Sequence, residues 1–482
     1  MPFSKLDAPG LEHVIGDSRM PGTGHVEVTD APDGCPLYQC PMGTASEVDF
    51  AVGCAAEQFS AWRWSTSSER SRMLGRAARF VADAADEIAG QVTLETGKTL
   101  AEAHSEVRSA ARILETTAGF VPATAGTVTT DHSRKVWGLE LTEPAGVVAV
   151  IGTWNMPVQV AALKISAALA AGCAVIYKPS PLAAATAGML VDAFERAGLP
   201  VGTCAILHGG AETAQLLASH SGIAVVSVTG SELAGQELMR SAASGAKRCV
   251  LELGGKSANI VFADADLDRA LQGVVTGFVR NQGAVCTAGS RILIQDEVYP
   301  QFLERLALAV EAVRVGDPFT AVDVGAVRSQ EHCDALSDSL EKAVAFGAKV
   351  CAGGGQVTVP GRSGAYFRPA LVAEVDQRDS LWQDELFGPV AVCAPFRDER
   401  DAISLANDSR FGLAAGIWAR DLTRLERVWR ELDVGTVYVN SYHRIDSVPL
   451  AASGRKMSGH GAEHGAAGIR EFLASKSVHI YR

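Results

Sequence analysis

Between Ser67 and Lys98 the chain places Met73, Leu74, Ala77, Phe80, Val81, Ala84 and Ile88 three and four residues apart, with charged and small residues between them. That period puts one apolar stripe on a helix, and residues 45–118 as a whole read as helical. Gly97 is expected to stop a helix, with another starting near Leu100. From residue 145 the pattern changes. GVVAVI (146–151), CAVIY (173–177), CAILH (204–208) and IAVVSV (223–228) are short apolar runs separated by helical stretches near 157–171, 183–197, 211–219 and 233–243. Strands alternating with helices of that length predict a parallel sheet covered on both faces. A second series begins at NIVF (259–262) and continues through RILIQ (291–295), a helix over 297–313 and strands near 390–395 and 435–440. The end, SKSVHIYR (475–482), alternates like an edge strand. It either joins a sheet of its own chain or awaits a partner.

Length and composition narrow the class. The 482 residues, 47% apolar and 20% charged, suffice for two or three packed domains. The net charge of −12, with no long Lys/Arg run, predicts neither a nucleic-acid partner nor a polybasic membrane contact. The ten cysteines include no CxxC pair, so no zinc site is expected and the thiols read as reduced. MPFSKLDAPG lacks the pattern of a signal peptide. The longest apolar region, Val147 to Tyr177, is interrupted by Asn155, Pro157, Lys164 and Gly172, short of the ~18 unbroken residues of a membrane span. A cytoplasmic protein is the expectation.

Five short segments carry candidate chemistry. Cys286 lies in NQGAVCTAGSR (281–291) between glycines that let backbone approach a substrate; it is a nucleophile or a small buried hydrophobe. Glu252, in LELGGKSAN (251–259), ends an apolar strand, where desolvation raises a carboxyl toward the range of a general base; it can equally pair with Lys256 or cap a turn. In VTGSELAG (228–235), Gly230 and Ser231 open a helix whose N-terminus suits a pyrophosphate. In TWNMP (153–157), the Asn155 amide can serve an oxyanion or cap the helix that Pro157 opens. Lys178, in YKPS (177–180), can reach a ribose or phosphate, or snorkel at the surface.

In order, TWNMP, KPS, TGS, LELGGKS, GAVCTAGSR and DELFGPV (384–390), between ETGK (95–98) and KMSGHG (456–461), resemble the aldehyde dehydrogenase superfamily over nearly the whole chain. The resemblance implies an α/β fold with a Rossmann-like cofactor domain (1–121 and 143–251), a second α/β catalytic domain (252–440) and a small oligomerisation element (122–142 and 460–482). It implies NAD(P)-dependent oxidation of an aldehyde to a carboxylic acid. Cys286 matches the nucleophile, Glu252 the base that activates water, Asn155 and the Cys286 N–H the oxyanion donors, and Lys164 a lysine supporting the site. Ile151, Thr153, Trp154, Lys178, Gly230, Ser231, Gly254, Glu385 and Phe387 match cofactor contacts. NAD or NADP as cofactor, a small aldehyde as substrate and a homodimer or homotetramer follow from the same likeness.

Departures are equally specific. Pro181 replaces the acid that commonly repels a 2′-phosphate, so NADP is expected to be tolerated. Leu233 and Ala284 replace a usual acid and glutamine, AASGRK (451–456) replaces a PFGGYK-like stretch, and Ala474 stands where many members carry a relay glutamate. The expected channel residues Met156, Gln159, Val160, Val285, Thr287, Tyr442, His443 and Arg444 form neither an aromatic box nor an apolar tunnel. The retained Glu252 weighs against a CoA-acylating semialdehyde dehydrogenase. Lys178, Ser231 and Glu385 weigh against a cofactor-independent cysteine esterase.

Overall fold

A computed structural model describes residues 10–130, 136–443 and 450–481. Most strands fall into two large sheets. The first has eight, in the order Ser18–Met20, His13–Ile15, Cys204–Ile206, Ala174–Lys178, Val147–Ile151, Ile223–Thr229, Arg248–Glu252 and Gly459–His460. The five inner strands are parallel, and the flanking ones run antiparallel. Val147–Ile151 is buried at every position because helices cover both faces, which explains its unbroken apolar run. The chain steps from this strand to Ala174–Lys178 on one side and later to Ile223–Thr229 on the other. That reversal opens a crevice at the carboxyl ends of these strands, where open α/β sheets hold ligands.

The helices behind the crevice are fixed by local chemistry. Thr66 and Glu69 form a capping box for Ser67–Asp83, and Thr99 and Glu102 form one for Leu100–Phe120. Gly97 ends Ala85–Thr96 with φ +81°, a left-handed conformation that glycine adopts without cost. Pro157–Ala171 is rich in alanine and almost wholly buried, because it packs between the sheet and the helix Leu100–Phe120.

The second sheet runs Lys349–Gly353, Ala370–Ala373, Val390–Phe396, Arg291–Gln295, Ala258–Val261, Ala414–Trp418, Thr436–Val439, parallel except at the first strand. The chain tail, Leu473–Tyr481, pairs along its full length with Val136–Pro144, which also pairs with Thr127–Thr130. One edge of the tail is therefore satisfied within the chain. The fold is mixed α/β, as expected, with local differences. The strand expected over 204–208 ends at Ile206, and the N–H of His208 turns to His13 Nδ1 at 3.1 Å. The helix expected over 297–313 is Tyr299–Glu311. Among the described residues no helix is long and apolar enough to cross a membrane.

Candidate active site

The crevice gathers most of the residues singled out above. Cys286 sits on the loop between the helix Leu267–Val279 and the strand Arg291–Gln295. That loop is held in an unusual course: Asn281 and Gln282 adopt φ +52° and +53°, and Gly283, at φ +74°, packs directly on the Gly388–Pro389 peptide. Side-chain bonds offset the strain. The Asn281 N–H donates to Glu102 Oε1 at 2.7 Å, and Gln282 Nε2 donates to the Ala326 carbonyl at 2.7 Å.

The same loop is cross-braced to TWNMP. Asn155 Nδ2 donates to the Ala284 carbonyl at 2.7 Å, and its Oδ1 accepts the Thr153 hydroxyl at 2.9 Å. Those two bonds set which way the buried amide faces and leave one N–H for another acceptor. Asn281 Nδ2 bridges the Asn155 and Ala284 carbonyls at 3.1 and 2.9 Å. Thr153, expected among the cofactor contacts, is thus engaged in orienting Asn155.

Glu252 ends the strand Arg248–Glu252, and its backbone is held by antiparallel pairing with Gly459, within KMSGHG. Its Oε1 is buried without a hydrogen-bond partner among the described residues. Burial and the neighbouring Glu463 push its carboxyl up to about 8, with Lys164 opposing. Cys286 is half-buried, and burial with the charges of Glu385 and Glu252 pushes its thiol up to about 12. These couplings place thiol, base and Glu385 in one cleft.

Lys164 does not touch Cys286. Its ammonium donates to Glu463 Oε1 at 2.6 Å, Val228 O at 3.1 Å and Ser227 Oγ at 3.2 Å. The expectation built on Ala474 is corrected here. Ala474 is exposed on the tail strand opposite Glu143, and the carboxylate beside Lys164 and Glu252 comes from Glu463. Glu463 follows KMSGHG by two residues, so the signal was present but the register was misread.

The expected dinucleotide contacts line the carboxyl ends of the first sheet. Ser231 caps the helix Glu232–Ala243 through Ala234 N–H, and a Cβ at Gly230 would meet only ordinary contacts with Ala234 and Val228. Lys178 ends its strand with its ammonium on the Pro179 and Gly209 carbonyls at 2.8 and 2.6 Å, leaving a third donor; burial lowers it to about 8. Glu385 Oε1 accepts the Gly255 N–H at 2.9 Å, and a Cβ at Gly254 would collide with that carboxylate. Burial raises Glu385 to about 7. Phe387, at φ +55°, meets Trp154 edge-on with ring centres 5.6 Å apart. Ile151 buries its side chain in the core, so only its backbone faces the crevice. A capped helix N-terminus, a buried lysine and a carboxylate held at Gly254–Gly255 suit a nicotinamide dinucleotide. The described residues include no cluster of three or more side chains able to hold a metal.

The profile of the aldehyde dehydrogenase family matches residues 19–478. The chain belongs to the aldehyde dehydrogenase family. It is 35% identical over 474 residues to 4-trimethylaminobutyraldehyde dehydrogenase A of Danio rerio, covering 95% of this chain and 92% of that one. The solved structure of betaine aldehyde dehydrogenase from Staphylococcus aureus with NAD+ superposes with a TM-score of 0.94 at 29% identity, over 99% of this chain and 96% of that one. An NADP-dependent enzyme of E. coli superposes with the same TM-score at 33% identity, over 98% of each chain. This aldehyde dehydrogenase is therefore an NAD(P)-dependent oxidoreductase acting on aldehydes. Arg444, expected in its channel, lies outside the described residues.

Sequence reasoning missed a buried pair. Lys98, in ETGK, pairs with Glu106, donates to the Asn155 carbonyl at 2.7 Å and is 1% exposed. Glu106 Oε1 accepts the N–H groups of Val158 and Gln159 at 2.9 and 3.2 Å, in the first turn of Pro157–Ala171. Together they clamp the loop that aims Asn155. Lys98→Met strands a buried carboxylate, with an expected loss of about 3–5 kcal/mol of stability in denaturant unfolding. A fall in kcat larger than the change in KM is expected alongside, since aim rather than affinity is lost. Stability and kcat both unchanged would refute the clamp.

Proposed function

We propose that this chain converts an aldehyde to a carboxylic acid through a thioester on Cys286, with NAD favoured and NADP tolerated as hydride acceptor. The observation that carries the assignment of roles is Glu252: a buried Oε1 without a partner among the described residues, on a carboxyl raised to about 8 whose charge in turn raises the Cys286 thiol. The Gly454 N–H bonds the same carboxyl, and the open Oε1 leaves it a site for the proton that a base must take.

On this reading Cys286 Sγ bonds to the aldehyde carbon. The free N–H of Asn155 and the N–H of Cys286 receive the negative oxygen, each donor of this kind contributing about 3–4 kcal/mol. NAD(P), when bound, supplies the hydride acceptor. Cys286 then carries the acyl group, and Glu252 as carboxylate takes a proton from the water that cleaves the thioester. Lys164 lowers the Glu252 carboxyl while Glu463 raises it, so that ion pair tunes the base. Lys178, Ser231, Gly230, Gly254, Glu385, Phe387, Trp154 and the backbone of Ile151 form the cofactor cradle. No acid stands at Pro181 to repel a 2′-phosphate.

The domain division stated at the outset suits this reading, with Ile151, Trp154, Lys178, Gly230 and Ser231 of the cradle in 143–251, and Gly254, Glu385, Phe387 and the thiol in 252–440. The outer edge of Leu473–Tyr481, unpaired among the described residues, is the surface proposed to meet a second copy in a homodimer or homotetramer. All ten cysteines are free, which suits a reducing cytoplasm.

The test mixes purified protein with short, aromatic, acidic and amino aldehydes and NAD or NADP, without CoA, and follows the absorbance of reduced nicotinamide. Reduction with a carboxylic acid product is expected. Product only when CoA is added would overturn the hydrolytic assignment in favour of acyl transfer.

A further inference from the structure

A cavity of about 750 Å³ opens beside the Cys286 loop, with Val279, Arg280, Asn440, Tyr442 and His443 in its wall. Two of these touch the residue next to the nucleophile. The Tyr442 hydroxyl donates to the Thr287 carbonyl at 2.8 Å, and His443 Nε2 lies 3.3 Å from the same oxygen. Thr287 thereby links the wall of this cavity to the Cys286 loop.

The wall carries Arg269, Arg280, Glu102 and Asp323. Arg280, directly after the helix Leu267–Val279, is half-buried; its backbone N–H donates to the Thr276 carbonyl, and its guanidinium makes no hydrogen bond or ion pair among the described residues. Among the described residues neither acid at the wall pairs with Arg280. Glu102 accepts the Asn281 N–H and caps Leu100–Phe120 with Thr99, and Asp323 pairs with Arg314 at 2.9 Å. Burial and Arg280 hold His443 down to about 3, so at neutral pH it is an uncharged imidazole. A half-buried guanidinium without a counter-ion among the described residues is costly unless a ligand completes it, and its planar fork suits a carboxylate.

We propose that Arg280 receives a carboxylate at the far end of the substrate, making the preferred substrate an ω-carboxyaldehyde. The proposal rests on Cys286 being the nucleophile. It separates this chain from relatives whose name carries a trimethylamino group. A permanent cation would be repelled by Arg280. The aromatic residues at the wall also offer little ring face to such a cation, as Trp418 and Tyr442 are 2% and 5% exposed.

The experiment measures kcat/KM for succinic semialdehyde, butanal and 4-trimethylaminobutyraldehyde with wild type, Arg280→Met and Arg280→Lys. Wild type is expected to prefer the semialdehyde. Arg280→Met should lower the semialdehyde-to-butanal ratio about 10- to 100-fold, mainly through KM, and Arg280→Lys should restore part of it. An unchanged ratio, or the trimethylammonium aldehyde as best substrate, would overturn the proposal. Calorimetric binding of glutarate reads the cavity without turnover. Glutarate binding that Arg280→Met abolishes, with no aldehyde oxidised, would sink the reaction assignment and leave the anion site standing; glutarate binding unaffected by the substitution would sink the anion site.

Discussion

Cys286→Ala is expected to reduce aldehyde-dependent cofactor reduction by on the order of 10⁴-fold or more, to the background of the assay. The sulfur is the only atom proposed to bond covalently to substrate, and no other cysteine takes its place. Cys40, Cys173, Cys204, Cys249, Cys333 and Cys393 are buried. The three half-exposed thiols, Cys35, Cys54 and Cys351, lie away from the crevice: Cys35 near Asp33, Cys54 on the helix Ala45–Trp62, Cys351 on the first strand of the second sheet. Alanine fits the loop, since the Cys286 backbone rather than its side chain packs on Gly255. Unchanged melting and unchanged cofactor affinity by fluorescence titration would show that the site survives. Turnover within tenfold of wild type in that intact protein would refute the thioester route.

The thiol also has to be activated within the cleft. Burial, Glu385, Glu252 and Glu463 all disfavour its anion, and only the Thr287 N–H among the leading influences favours it. Little thiolate is therefore present at neutral pH in the protein without ligands. Reactivity depends on a proton acceptor and on positive charge brought by ligands, not on a lone low-pKa cysteine.

The layers of this fold were legible in the chain because strand and helix periods differ so sharply after residue 145. Val147–Ile151, Ala174–Lys178 and Ile223–Thr229 fall within a residue of the expected runs, and the glycine at 97 ends its helix as read. Strands of two or three residues were not legible. His13–Ile15 and Gly459–His460 are too short to show a period, and only distant partners make them strands. The site followed the same division. Cys286, Glu252 and Asn155 were legible as candidates from their residue types and short motifs, but each kept a structural alternative until the order of the motifs gave the likeness to the aldehyde dehydrogenase superfamily. Glu463 and Lys98 act through contacts 299 and 57 residues away in sequence, and no local pattern reports such a contact. Misplacing the relay glutamate at 474 shows the cost: the motif was present, and its register depended on a two-residue ladder.

Glu252→Gln is the second large effect, and it differs in kind. Glutamine keeps the shape of the side chain and the strand pairing with Gly459 but cannot take a proton. Formation of the thioester should survive, so one equivalent of reduced cofactor per active site is expected as a rapid burst. Steady turnover should then fall about 10²- to 10⁴-fold, the usual contribution of a positioned base. Wild-type turnover should also rise as pH climbs through about 8, because only the carboxylate is a base and Glu252 is mostly protonated below that value. The variant should lose this rise. Stability moves in the opposite sense. A carboxyl whose pKa is raised in the folded state costs more stability as pH increases from the ordinary carboxylate range to about 8, so Glu252→Gln should raise the melting temperature more at pH 9 than at pH 6. Rapid-mixing absorbance and acyl-enzyme mass at Cys286 read the two phases separately. Loss of burst and turnover in equal measure would place Glu252 before the thioester, as the group that deprotonates Cys286, and would overturn its assignment to hydrolysis.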